Sequence, residues 1–400
     1  MASVSVAVLL ASGVALAVTP VGDTAEKTNA EATVAAESPD AALDRALKEL
    51  VRMEGGPPGV IVVVQRGKHR EVHAFGVANR KNRRPMRVDD HMRIASAAKA
   101  FSGAVALSLV SKGVLSLDDD TIGERLADLP EPPPPGWSDI TLRQLLNHTS
   151  GMPDFSDSDD FKKVVGERLR HPDPPEKLLT YAYGLNNGQP LFTPGDAYKY
   201  SNSDNIAVAL MVEDATRKSY ENQLTKQVYR PLGLSRTSLP VGPELGKPFI
   251  HGYDLSESPP EDVSEILAAG WAWASGGIVS TPADLNTFIR GYVKGQLYTL
   301  ETRQEQRQVS EGGGSEPPGP GENSAGLGIF RYETECGTVW GHTGNTPGYT
   351  QFMAASPNGN RSATVSINAQ ITPSVGEPEA FEALRRAEDL AVCAVLARDG

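Results

Sequence analysis

Leu43, Leu47, Leu50 and Val51 recur at helical spacing after Asp40, which predicts an amphipathic helix capped by that aspartate. The period then changes. GVIVVVQRGKHREVHAFGVAN is two β-branched runs around a charged turn at Gly67, the pattern of a β-hairpin. FSGAVALSLVSKGVLSL is apolar nearly all round, as expected of a helix buried on most of its sides. LPEPPPPGW, residues 129–137, breaks regular structure and reads as a crossing between lobes. From Ile140 to about Pro240 helical segments alternate with Pro/Gly turns, as in ITLRQLLNHTSGMPDF and SNSDNIAVALMVEDATRK. A strand-like run returns at GWAWASGGIVS, and a helix follows with Thr281 as its cap. EGGGSEPPGPGEN, residues 311–323, reads as a mobile loop by composition. GTVWGHTG, YTQFMAAS and RSATVSINA predict three antiparallel strands, the last two joined by Pro357-Asn358-Gly359-Asn360, and a final helix carries Cys393.

These elements predict an α+β fold: an antiparallel β-sheet flanked by helices, with an inserted, mostly helical lobe. The sheet lobe takes residues 41–128 and 262–400, and the helical lobe 129–261. A site at the junction of the lobes is the default expectation.

Composition narrows the function. The 400 residues are 39% hydrophobic, enough for a sizeable core. A net charge of -12 with scattered Lys and Arg leaves no basic face, so nucleic acid is excluded as a partner. VSVAVLLASGVALAV has the length of a signal-peptide core, with Ala15-Leu16-Ala17 as its cleavage site, although no Lys or Arg precedes it. The run is too short for a stable membrane span, and the acidic stretch after it reads as a tether. Residues 1–40 are thus expected to be signal peptide and linker, and the protein secreted or held at the cell surface as a monomer. In an exported chain the pair Cys336 and Cys393 favours one disulfide over a metal site, two buried thiols being the alternative. His-Glu-x-x-His, Walker, Gly-x-Gly-x-x-Gly and Gly-x-Ser-x-Gly motifs are all missing, and neither metal nor organic cofactor is expected.

RIASAAKAFSG places Ser96 and Lys99 one turn apart at a helix start. A serine hydroxyl needs a base and an oxyanion site to become a nucleophile, and a lysine whose pKa falls on burial supplies the base. Taken alone, Ser-x-x-Lys is as readily an ordinary helix face. Two further groups change that reading. Tyr200-Ser201-Asn202 lies between a Pro-Gly turn and a helix, where a phenol can relay a proton and an amide can hold a substrate. A second Tyr-x-Asn, at Tyr220 and Asn222, sits in a polar stretch less suited to a cleft. His342-Thr343-Gly344 falls on a predicted strand, where the glycine admits close backbone approach and the histidine adds a donor.

Ser96-x-x-Lys99, Tyr200-x-Asn202 and His342-Thr343-Gly344, in this order, resemble the motif set of the penicillin-recognising serine hydrolases. RIASAAKAFSG, LLNHTSGMPDF, YKYSNSDN, PLGLSRTSL, ASGGIVSTPADL and CGTVWGHTGNTPGY are similar to the branch containing secreted Streptomyces-type D-alanyl-D-alanine carboxypeptidases and class C β-lactamases. The resemblance implies that Ser96 is acylated, that Lys99 and Tyr200 move protons, and that Asn202 holds the substrate amide. It implies that Thr343 binds a substrate carboxylate with His342 where many relatives have lysine. It also places an oxyanion hole at the N–H groups of Ser96 and Asn345, Trp271 in the cleft wall, and a Cys336–Cys393 bridge between sheet and last helix. One position departs from that branch: GLGIFRY has Phe330 where the carboxypeptidases carry an arginine. Arg331 beside it points to the opposite face of a strand. The expected function is a D-alanyl-D-alanine carboxypeptidase or related D-peptide hydrolase on small peptides, including cell-wall stems. The alternatives are a β-lactamase or esterase on the same scaffold, and a non-catalytic penicillin-binding module.

Overall fold

Residues 37–310 and 312–397 are described in a computed structural model. The apolar N-terminal run and the cleavage site expected in it lie outside the described residues. The described residues from Ser38 onward cluster as one compact unit.

Strand β1, Gly59–Arg66, carries five consecutive buried β-branched residues, and the alternation of a strand divides them between two layers. Val60, Val62 and Val64 enter one apolar cluster and Ile61 the other. The first cluster is closed by helices α1, Pro39–Arg52, and α5, Pro378–Leu396, through Leu43, Leu47, Leu384 and Val392. The second cluster runs from the opposite face into the helical part of the chain. At its centre is α2, Ala98–Val110, whose residues are buried on every side up to Leu109. Around it lie α3, Asn202–Thr216, and α4, Pro282–Lys294.

The sheet is antiparallel and eight-stranded. Strand β2 is His69–Asn79, β3 Arg84–Pro85, β4 Glu322–Gly326, β5 Ile329–Thr334, β6 Gly337–Thr346, β7 Tyr349–Ala355 and β8 Arg361–Ile367, in the order β3-β2-β1-β8-β7-β6-β5-β4. The first and last parts of the chain meet where β1 pairs with β8, from Val60 opposite Ile367 to Arg66 opposite Arg361. The fold class is therefore the one expected, an α+β arrangement of antiparallel sheet and helices.

Three local expectations change. Ser38, not Asp40, caps α1 by accepting the Ala41 N–H at 3.2 Å. Asp40 falls inside the first turn and accepts from Arg66 Nη2 at 2.6 Å. GWAWASGGIVS is not a strand: it forms one-turn helices at Ala269–Trp271 and Trp273–Gly276, and extends only at Val279–Ser280. The helical turn aims the Ala274 and Ser275 carbonyls at Ser102 Oγ and Lys99 Nζ on α2, a direction that a strand ladder would not supply. The Gly/Pro-rich segment after Gly312 lies packed, with Tyr198 Oη donating to Gly314 O at 2.5 Å and Gly319 against the Tyr332 ring.

The Cys336–Cys393 bridge forms and ties the start of β6 to α5 across 57 residues of chain. Replacing both cysteines with alanine is expected to lower unfolding free energy by about 4 kcal/mol from restored loop entropy alone. Chemical denaturation of wild type and double variant checks this, and an unchanged midpoint would reject the assigned role. Among the described residues no helix is long and apolar enough to cross a membrane.

Candidate active site

Ser96 stands on a single helical turn, Ala95–Ala97, that runs directly into α2. Ala95 takes a left-handed φ of +47°, a strained choice for a residue with a Cβ. The surroundings enforce it. Arg93, buried just upstream, donates to Pro243 O at 2.7 Å and to Leu267 O at 2.8 Å, and Gln351 Nε2 donates to Arg93 O at 3.1 Å. On the other side Gly344 of β6 presses against the turn. A Cβ at Gly344 would lie 2.4 Å from Ile94 O and 3.0 Å from Ser96 N, so only glycine lets strand and nucleophile turn touch.

Lys99 lies behind Ser96 and is 1% exposed. Its Nζ donates to Ser96 Oγ at 3.1 Å, Asn202 Oδ1 at 2.6 Å and Ser275 O at 2.8 Å. Three neutral acceptors match the three N–H bonds of an ammonium, yet no carboxylate touches it. Burial therefore prevails over the upward pull of the more distant carboxyl groups, Asp154 first, and brings the lysine down to about 7. Near neutrality a large share of the amine is free to take the Ser96 proton.

Asn202 opens α3 and is aimed by Asp154, whose Oδ2 accepts the Asn202 backbone N–H at 2.7 Å and Nδ2–H at 2.9 Å. That contact turns the amide oxygen toward Lys99. Tyr200 is buried with its ring 5.0 Å from Lys99 Nζ. Its hydroxyl closes no hydrogen bond of good geometry. Burial holds the phenol well above its usual range, with the nearby Ser96 hydroxyl acting in the opposite sense. The His148 ring lies 4.5 Å from the Tyr200 ring, with its Nδ1 2.7 Å from Asp204 Oδ2, and Ser150 Oγ donates to Asp204 Oδ1 at 2.5 Å. Burial lowers His148 to about 3 and raises Asp204 well above the usual carboxylate range, so it favours a neutral pair.

Ser96, Tyr200, Asn202, Trp271 and Asn345 line one cavity of about 430 Å³, together with Asp154 and Glu316. His342 and Thr343 are not on its wall. The His342 ring is fully buried, its Nδ1 2.6 Å from Thr343 O and its centroid 5.0 Å from that of Phe330. Burial lowers it to about 3, so no cation stands there, and the expectation of a histidine donor facing substrate is corrected. Thr343 Oγ1 donates to Pro317 O at 2.7 Å and is likewise occupied. Phe330 is buried between His342 and Tyr200, while Arg331 turns away to Glu333 at 3.1 Å.

The Beta-lactamase family profile matches residues 43–387. The chain belongs to the Beta-lactamase family. A penicillin-binding protein of Bacillus subtilis (strain 168) is 23% identical over 312 residues, 74% of this chain and 64% of that protein. The chain thus spans less than two thirds of that relative's length. The D-alanyl-D-alanine-carboxypeptidase/endopeptidase AmpH of Escherichia coli (strain K12) is 24% identical over 78% of this chain and 80% of its own. Among solved structures, a D-stereospecific amidohydrolase from Streptomyces sp. superposes with TM-score 0.73 at 28% identity, covering 87% of this chain and 98% of that one. A D-amino acid amidase from Ochrobactrum anthropi SV3 shares the fold, with TM-score 0.75 at 22% identity over 89% of this chain and 98% of its own.

Asp154, His148, Asp204 and Glu316 belong to the site and were not singled out by sequence reasoning. LLNHTSGMPDF contains two of them, but nothing in the string says that His148 meets an aspartate 56 positions on.

Two outcomes are expected. If neutral Lys99 is the base, the rate of Ser96 acylation rises as the amine loses its proton, with its half-point at about pH 7 and a plateau about one unit above that; stopped-flow acylation from pH 5 to 9 checks this, and a flat profile would contradict it. Gly344→Ala is expected to displace the nucleophile turn and lower kcat/KM by about a hundredfold while the fold's circular dichroism persists.

Proposed function

We propose that this Beta-lactamase-family hydrolase is a serine amidohydrolase that cleaves D-amino acyl amide or peptide bonds through an acyl-enzyme on Ser96. The observation that carries the reading is the 3.1 Å contact between Ser96 Oγ and Lys99 Nζ, with the amine brought to about 7 by burial. Ser96 Oγ attacks the carbonyl carbon as its proton passes to Lys99, and the oxyanion faces the N–H groups of Ser96 and Asn345. Tyr200, kept protonated by burial, hands a proton to the departing amine and takes back the one that Lys99 received from Ser96, so both groups return to their starting states. Water then attacks the acyl carbon, releasing the acid and restoring Ser96. Lys99 suits the base role better than Tyr200, since the two environments push their pKa values apart.

The D-configured substrate is supported by likeness to the D-stereospecific amidohydrolase. The narrower carboxypeptidase reading is less well supported, because Arg331 is not on the cavity wall and pairs with Glu333, and Thr343 Oγ1 is engaged by Pro317. A β-lactamase or esterase is the second reading, favoured by the buried Phe330. The disulfide supports an extracytoplasmic setting.

Intact mass after incubation with benzylpenicillin, and p-nitroaniline release from D- and L-alanine p-nitroanilide, test the proposal. An adduct on Ser96 that is lost in Ser96→Ala, with the D substrate turned over at least about tenfold faster, is expected. No acylation by any of these, or labelling that survives Ser96→Ala, would sink it. Rapid drug loss with no anilide cleavage would favour the lactamase instead.

A further inference from the structure

The cavity wall carries three carboxylates, Asp154, Asp157 and Glu316, against one exposed cation, Lys199. Asp154 is occupied: besides Asn202 it accepts from Ser156 N at 2.9 Å and Ser156 Oγ at 2.8 Å. Asp157 and Glu316 are both exposed, and of the two it is Glu316 whose charge acts at the reacting groups. Glu316 has no hydrogen bond or ion pair among the described residues, yet its charge acts on both Lys99 and Tyr200.

Its position follows from the segment that carries it. Pro317 O takes the Thr343 hydroxyl, and Tyr198 Oη holds Gly314 O, so Glu316 is carried between two anchored residues onto the cavity wall. The same contact removes Thr343 Oγ1 as a donor for a substrate anion. His342 is neutral and buried off the cavity, and Arg331 is paired with Glu333. A carboxylate on the substrate would thus meet Lys199 alone while facing Glu316 and Asp157. A substrate ammonium meets the opposite balance, and an unpaired carboxylate on the wall of the nucleophile's cavity is the group that would hold it.

We propose that Glu316 receives the free α-ammonium group of the substrate, so that amides of unblocked amino acids are taken in preference to N-acylated or carboxylate-terminated peptides. This rests on the amidohydrolase reading and names its substrate class.

The test compares D-alanine p-nitroanilide, its N-acetyl derivative and an N-acetylated peptide ending in D-Ala-D-Ala at pH 7, where an α-amino group is largely protonated. Wild type is expected to show at least about tenfold higher kcat/KM for the free amine than for either other substrate. Glu316→Gln is expected to erase most of that preference, chiefly through a higher KM for the free amine, and to affect the N-acetyl anilide far less. Equal use of free and acetylated amine, preference for the carboxylate-terminated peptide, or a uniform loss in Glu316→Gln would each overturn the inference while leaving the amidohydrolase intact. Absence of Ser96 acylation with all three would instead defeat the reading beneath it.

Discussion

The site depends on one buried amine. Lys99 is held by a serine hydroxyl, an amide oxygen and a backbone carbonyl, with no carboxylate in contact. Those neutral acceptors satisfy the ammonium's geometry without stabilising its charge as a carboxylate would, so burial sets its proton affinity. An aspartate in the place of Asn202 would raise the lysine and remove the base. The three acceptors come from the turn at Ser96, the start of α3, 103 residues away, and the one-turn helix before Val279, 176 residues away. Much of the helical part of the chain can be understood as the means of bringing them to one point.

A second layer keeps the partners in place. Asp154 aims the Asn202 amide, and its own four acceptances leave it little freedom to approach the lysine. His148 and Asp204 underlie Tyr200 in contact with each other, and burial favours the neutral form of both. Acid and base roles are separated by environment: the amine is brought down into the physiological range, and the phenol is kept protonated.

How much of this was legible divides along physical lines. The sheet was written in period-two alternation and in the Val60–Val64 run, and α2 in its lack of a polar face, because burial alone decides those patterns. Ser96, Lys99, Tyr200 and Asn202 were legible because the chemistry requires those side chains in a recognisable order. GWAWASGGIVS misled because its apolar content reflects burial around Lys99 and says nothing of backbone direction. His342 misled for a related reason. It shares a face of β6 with Gly344, and that face is crowded against the nucleophile turn, so the ring packs on Phe330 instead of reaching substrate. Glu316 lay in a stretch whose Gly/Pro composition suggested only mobility, whereas its placement comes from two carbonyls accepting distant hydroxyls.

The resting site is also locally unsatisfied. Tyr200 Oη and His342 Nε2 are buried without partners, and Ala95 is held left-handed beside them. Each unpaired buried group costs about 1–3 kcal/mol. Other buried polar atoms also lack partners, among them Tyr332 Oη and Thr364 Oγ1, but of these groups the Tyr200 phenol is the one on the cavity wall with Ser96. Its unpaired hydroxyl is readily explained if a departing amine of the substrate completes it. The double-sided sheet core and the Cys336–Cys393 tie supply the stability against which that local strain is maintained. A rigid frame around an incomplete hydrogen-bond set is the arrangement expected of a preorganised acyl-transfer site, and it argues against a module kept only for binding.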